Sequence, residues 1–327
     1  MALALVFPGQ GAQTIGMGRA LAEASTAARA VFAEVDDALG EALSALIWDG
    51  SIDDLTLTQN AQPALMATSL AALRALEAEG FDTASAAFVA GHSLGEYSAL
   101  AAAGALSVAD AARLLRIRGR AMQAAVPVGQ GAMAALLGLD FATASAIAAE
   151  AAQGEVCQAA NDNDPAQVVV SGNKAAVERA IDLAKARGAR RALMLPVSAP
   201  FHCALMQPAA DVMAEALAQV TLAAPRVPLV ANVAAEGVQD PETIRRLLIA
   251  QVTGSVRWRE SVDWMAGQGV TEFWEIGAGK ALSGMIKRIA KGTETRAIGN
   301  PEDVQAAIAA YNAGSDGPRG PLGLRGA

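Results

Sequence analysis

Two short, unbroken apolar runs, Ala2–Phe7 and Ala86–Ala90, each end in a glycine-rich turn and lead into alanine-rich stretches of helical pattern. A run of four to eight apolar residues without polar alternation suits a strand covered on both faces. Such strands alternating with helices predict an α/β fold on a parallel sheet. Similar runs at Val227–Ala231 and Glu272–Ile276 are expected to extend that sheet, and Arg19–Leu39 reads as helix.

The middle of the chain has a different rhythm. Ala132–Leu137 reads as strand and Ala142–Ala152 as helix. Val156–Ala160 and Gln167–Val170 read as two strands joined by the turn-rich Asn161-Asp162-Asn163-Asp164-Pro165. Ala175–Ala186 is again helical and Arg191–Val197 strand-like. The order β-α-β-β-α-β is that of a ferredoxin-like unit. We therefore expect a discontinuous α/β core over residues 1–126 and 198–312, with a small ferredoxin-like subdomain inserted at 127–197. Residues 313–327, rich in glycine and proline, are expected to be a disordered tail.

Composition narrows the function. The 327 residues carry a net charge of −8, which argues against non-specific nucleic-acid binding. No apolar run reaches the roughly 18 residues of a membrane helix, and no basic segment marks a secretory leader. Two cysteines, Cys157 and Cys203, cannot build a disulfide framework or a zinc cluster, so a reducing cytoplasm is expected. Only two histidines exist, His92 and His202.

That scarcity matters because Gly91-His92-Ser93-Leu94-Gly95 fits the G-x-S-x-G nucleophile elbow, between an expected strand and an expected helix. A serine nucleophile needs a base. His92 is adjacent to Ser93, and neighbouring strand side chains point to opposite faces, so it is expected to pack beneath the turn. His202 is left as the base, and Cys203 beside it reads as a small buried filler. No acidic third member of a triad is identifiable. In the helix expected over Val108–Ala125, Arg113, Arg116 and Arg120 share one face, read as solvated. Arg118 falls on the opposite stripe with Ala111, Leu114, Leu115 and Met122. A guanidinium there needs an anionic partner, either an internal carboxylate or a substrate. Gly9-Gln10-Gly11 lacks the third glycine of a dinucleotide fingerprint, and Gly277-Ala278-Gly279-Lys280 lacks P-loop spacing, so both read as turns that present backbone N–H groups.

Taken in order, six segments resemble the malonyl-CoA:acyl carrier protein transacylases: Phe7–Gln13, Gly91–Tyr97, Arg118–Gln123, Asn161–Gly172, Pro200–Met206 and Glu275–Lys280. The resemblance spans about residues 5–298. It implies a hydrolase-like α/β core with a ferredoxin-like insert, Ser93 as acyl carrier and His202 as general base and acid. It further implies an oxyanion hole from the Gln10 and Leu94 amides, and Arg118 paired with the malonyl carboxylate. Gln251 would orient His202 through its backbone carbonyl, giving a Ser–His dyad. Phe201 is similar to the signature of malonyl-selective members and would disfavour a branched methylmalonyl group. The implied partners are malonyl-CoA and acyl carrier protein, with no cofactor, no nucleic acid and no membrane; a monomer working in fatty-acid synthesis is expected. Because carrier proteins are acidic, Lys185, Arg187, Arg190 and Arg191, or Lys280, Lys287, Arg288 and Lys291, are candidate docking cations. A serine thioesterase, a non-catalytic module, or a malonyltransferase serving polyketide synthesis or malonate decarboxylation are the alternative readings.

Overall fold

A computed structural model describes residues 2–313. Of the expected tail, 313–327, only Ala313 falls among them, and it closes the helix Pro301–Ala313 rather than opening a tail. Among the described residues, ten strands form two sheets: β1 (Ala2–Phe7), β2 (Phe88–Gly91), β3 (Gly131–Leu137), β4 (Cys157–Asp164), β5 (Gln167–Asn173), β6 (Arg191–Met194), β7 (Leu229–Val230), β8 (Gly237–Val238), β9 (Val270–Ile276) and β10 (Glu294–Ile298).

The larger sheet runs β10-β9-β1-β2-β7-β8, parallel throughout except for the β7–β8 hairpin. Its central strand shows why the first apolar run has no polar alternation. Leu3, Leu5 and Phe7 join one apolar cluster, while Ala4 and Val6 join another on the opposite face. Both faces are covered, so every residue but the first is buried. The smaller sheet, order β4-β5-β3-β6, is antiparallel and forms a separate subdomain. Phe141–Ala152 and Lys174–Ala186 cover one face through their own apolar cluster. This order, with two helices on one face, is the ferredoxin-like arrangement.

Three local expectations are corrected. The segment Arg19–Leu39 is two helices, Arg19–Ala24 and Thr26–Leu39, because extended Ser25 caps the second by accepting from the Ala28 amide. Asn161–Asp164 is not a turn but the end of β4. The Asp162 amide donates to Val256 O at 2.9 Å, and Asp162 and Asp164 pair with Arg259 and Arg288 of the larger body at 2.8 and 2.7 Å. Polar residues that resemble a loop here face cationic partners from another sheet's helices. Finally, β6 stops at Met194, short of the expected Val197.

The turn after β2 is a tight joint. Gly91 lies opposite Phe7 in the β1–β2 register, and the helix Gly95–Ala102 starts four residues later. A Cβ on Gly95 would stand 2.3 Å from Phe7 O, and one on Gly91 would stand 1.9 Å from the Gly95 carbonyl carbon. Both contacts are to backbone, which cannot step aside without moving β1 or the start of the helix. Gly95→Ala is therefore expected to destabilise the fold by about 3 kcal/mol, as overpacking of a rigid site does. Urea unfolding measures this, and an unchanged midpoint would contradict it.

Candidate active site

Two adjacent strand ends open on one cleft: β1 runs into Pro8–Gln10 and β2 into His92-Ser93, all of which line it, while Asn232, just past β7, bonds to the Ser93 amide. The crevice beyond the carboxyl ends of parallel strands is where such sheets bind ligands. Ser93 stands at φ +54°, in the left-handed region, which costs a non-glycine residue about 1–3 kcal/mol. Buried Asn232 holds that conformation. Its Oδ1 accepts from the Ser93 amide at 2.8 Å, and its Nδ2 donates to Gly91 O at 2.6 Å, clamping both sides of the turn.

His202 meets the serine from a loop, itself at φ +58°. Its Nε2 lies 2.8 Å from Ser93 Oγ, and its Nδ1 lies 2.9 Å from Gln251 O. A carbonyl can only accept, so Nδ1 carries the proton and the Nε2 lone pair faces the serine hydroxyl. Burial, and then the Arg118 cation, push the imidazole pKa down to about 3. The free base is thus the stable form in the resting site. His92 turns away, with Nε2 2.9 Å from Asn163 Oδ1 and its ring 5.9 Å from that of Trp258. Cys203 is fully buried and donates to Pro200 O at 3.1 Å.

The cleft encloses about 500 Å³ and is lined by Gln10, Leu94, Arg118, Phe201 and His202, among others. Leu94 caps the start of Gly95–Ala102, where backbone N–H groups lack helical acceptors. The Gln10 side chain is fixed by Thr58, whose Oγ1 donates to Gln10 Oε1 at 2.8 Å. Half-buried Phe201 packs against both the main core and the small sheet's inner cluster, and so forms a wall between the two bodies.

Arg118 is 1% exposed. Its Nη1 donates to Gln62 Oε1 at 2.7 Å, and its Nη2 donates to Gln251 Oε1 at 2.7 Å and Ser93 Oγ at 3.1 Å. Its carbon lies 5.8 Å from the Tyr97 ring centre. Every hydrogen-bond acceptor is neutral, and the buried Nε has none. Gly119 makes the pocket for this side chain possible. A Cβ there would stand 2.5 Å from Gln59 Cα, so the helices Val108–Ala124 and Thr58–Ala78 approach closely enough for Gln62 to reach the guanidinium.

Known proteins share this arrangement of chain and fold. The model of the acyl transferase domain family matches residues 4–302. The malonyl CoA-acyl carrier protein transacylase of Escherichia coli is 47% identical over 93% of this chain and 98% of its own length. This chain belongs to the malonyl CoA-acyl carrier protein transacylases, within the acyl transferase domain family. The Bacillus subtilis transacylase is 46% identical, over 94% of this chain and 96% of its own. An acyl-carrier-protein-S-malonyltransferase structure from Bartonella henselae superposes with a TM-score of 0.93 at 54% identity, covering 95% of this chain and all of that one. A malonyl-transacylase solved with its type II polyketide acyl-carrier protein gives 0.92 at 43% identity, again over 95% of this chain and all of that one.

Within this family member, Ser93, His202, Arg118, Gln10, Leu94 and Phe201 all line one cleft, and the buried Gln251 carbonyl holds His202 from behind it. Arg116 departs from its expected solvated face. It is buried, donates to Gln59 O at 2.7 Å and Asn60 Oδ1, and pairs with Glu41. Three polar residues of the site had no assigned role: Gln62, Glu96 and Asn232. Asn232 could have been noticed as the polar residue that directly follows the Val227–Ala231 run. Gln62 sits among buried Ala61, Ala64 and Leu65 of a long helix, where a polar side chain needs a partner. The Gly277 loop is a turn, as expected. Glu275 at its start accepts from the Leu282 and Ser283 amides at 3.0 and 2.7 Å and caps the helix Ala281–Ile289.

The depressed His202 pKa has a pH consequence. Between pH 6.5 and about 3 the unfolded chain binds a proton at this imidazole that the folded site refuses. Its contribution to stability is intact above 6.5 and is lost as pH falls toward 3, by up to about 1.4 kcal/mol per pH unit. Direct titration by NMR should find the His202 ring still neutral at pH 5; an ordinary midpoint near 6.5 would contradict the geometry.

Proposed function

We propose that the chain transfers the malonyl group of malonyl-CoA to the phosphopantetheine thiol of acyl carrier protein, through a malonyl ester on Ser93, for fatty-acid synthesis. One observation carries the choice of acyl group: a fully buried guanidinium, hydrogen-bonded only to neutral acceptors, stands 3.1 Å from the nucleophile. A buried cation short of negative partners is costly until an anion arrives. A malonyl group on Ser93 Oγ brings its free carboxylate back within reach of Arg118, where the planar fork can hold both oxygens. An acetyl group leaves the cation as it was.

The proton steps follow from the dyad. His202 Nε2 takes the Ser93 proton as Oγ attacks the thioester carbonyl, and the Gln10 and Leu94 amides receive the developing oxyanion. Collapse of the tetrahedral adduct breaks the C–S bond, and the departing CoA sulfur takes the proton from Nε2. The carrier's thiol then gives its proton to Nε2 and attacks the ester, and Ser93 regains that proton as it leaves. A neutral imidazole at rest suits the first step. The Gln251 carbonyl stabilises the imidazolium that forms, in the place a carboxylate takes in a triad.

Exposed Lys280 and Lys291 flank the helix Ala281–Ile289, which carries Lys287 and the Asp164-paired Arg288 in its last turn and whose Ala281, Leu282 and Met285 line the cleft. Because its helix lines the cleft, this second cationic group is the better docking candidate for an acidic carrier. Buried, unpaired Cys157 and Cys203 suit a cytoplasmic site of action. The likeness to a polyketide transacylase favours a second reading, malonyl supply to polyketide synthesis, which a comparison of carrier proteins as acceptors would separate.

Intact mass spectrometry after incubation with malonyl-CoA tests the nucleophile: one malonyl group on the parent and none on Ser93→Ala. Arg118→Ala is expected to lower kcat/KM for malonyl-CoA by about a hundredfold, the loss of a charged hydrogen-bonded pair, while sparing acetyl-CoA. Equal malonyl rates in variant and parent would refute the role of Arg118, and fast hydrolysis of malonyl-CoA without a carrier thiol would favour a thioesterase.

A further inference from the structure

The nucleophile turn, the base and the guanidinium meet on one carboxamide. Gln251 is fully buried; its Oε1 accepts from Arg118, its Nε2 donates to Ser93 O at 3.0 Å, and its backbone carbonyl receives His202 Nδ1. The second Nε2 hydrogen goes to Glu96 Oε2 at 2.6 Å. Glu96 belongs to the first turn of Gly95–Ala102, where a carboxylate ordinarily faces solvent and complements the helix dipole. Here it is 1% exposed. Burying a carboxylate is expensive, and this one is outside the cleft lining and outside reach of any reacting atom described above.

Its hydrogen bonds show what it organises. Oε2 accepts from both Gln251 Nε2 and the Asn232 amide, the latter at 3.2 Å, and Asn232 in turn grips the Ser93 amide. Oε1 has no partner among the described residues. A carboxamide is nearly symmetric in shape but not in chemistry: turned over, Gln251 would point its NH2 at the guanidinium. Ser93 O and Glu96 Oε2 together use both amide hydrogens and leave Oε1 for Arg118.

We propose that Glu96 is a positioning residue that fixes the orientation of the Gln251 carboxamide and thereby aims Arg118 at the carboxylate of the incoming acyl group. The inference rests on the malonyl-transfer reading above. A different role, compensation of the Arg118 charge at a distance, makes opposite demands on the side chain: positioning needs an oxygen at the right place, while compensation needs a negative charge.

Two variants separate them. Glu96→Asp keeps the charge but stops one methylene short of Gln251. Glu96→Gln loses the charge but places an oxygen where Oε2 was, and its NH2 replaces the unpartnered oxygen. The readout is the ratio of kcat/KM for malonyl-CoA to that for acetyl-CoA with carrier protein as acceptor, a quantity that a general loss of fold would not move. Glu96→Asp is expected to lower the ratio about tenfold with the acetyl arm within about threefold of the parent, and Glu96→Gln to hold the ratio within about threefold. A parent-like ratio in Glu96→Asp, or a tenfold loss in Glu96→Gln, would overturn the proposal. If Glu96→Asp fails to fold by circular dichroism, Glu96→Met, which keeps the length but removes the oxygen, is expected to show the same tenfold loss, and a parent-like ratio there would overturn the proposal. A parent chain that transfers no malonyl group would sink the functional reading instead.

Discussion

The cleft is organised around a buried positive charge that the protein itself does not neutralise with a contacting carboxylate. Arg118 is surrounded by the Gln62 and Gln251 amides, the Ser93 hydroxyl and the Tyr97 ring. Burial pulls its pKa below the ordinary arginine value, with Tyr97 and Glu96 opposing the shift. The helices that carry it can approach one another only because Gly119 has no side chain. Much of the surrounding polarity holds this cation in one pose beside Ser93.

The same network sets the chemistry of the dyad. Arg118 contributes to the depression of the His202 pKa, and Gln251 touches the guanidinium, the serine carbonyl and the imidazole at once. Burial pushes Glu96, at the far side of that amide, up to about 7 against the pull of Gln251, Asn232 and Arg118. On the proposed reading, substrate selection and proton transfer are therefore not separable modules here. A change at Gln251 would disturb both, because one residue supplies the base's orienter through its backbone and the cation's partner through its side chain.

The larger features of this structure were legible in the amino-acid order for simple reasons. Unbroken apolar runs ended by glycine mark strands buried on both faces, and Ala2–Phe7 became β1 with its register set against Gly91. With only two imidazoles available, the elbow left few choices, and His202 lies 2.8 Å from Ser93. What escaped notice depends on contacts distant in sequence. Asn161–Asp164 has turn-forming composition, yet it is strand because Arg259 and Arg288 stand across from its carboxylates. Arg116 sits on a helix face that periodicity assigns to solvent, but the Gln59 carbonyl and Glu41 cover it. Asn232 and Glu96 show the same limit, since the partners that fix the turn and the Gln251 amide lie 136 to 155 residues away along the chain.

The account stands or falls on where the acyl carboxylate goes. A crystal structure of the enzyme trapped as its malonyl ester on Ser93 measures this directly. The account predicts the free carboxylate on the Arg118 guanidinium at charge-assisted distances of about 2.7–2.9 Å, displacing the Ser93 Oγ contact while Gln62 and Gln251 stay in place. A carboxylate turned toward solvent or toward another cation, with Arg118 still bonded only to neutral groups, would contradict it.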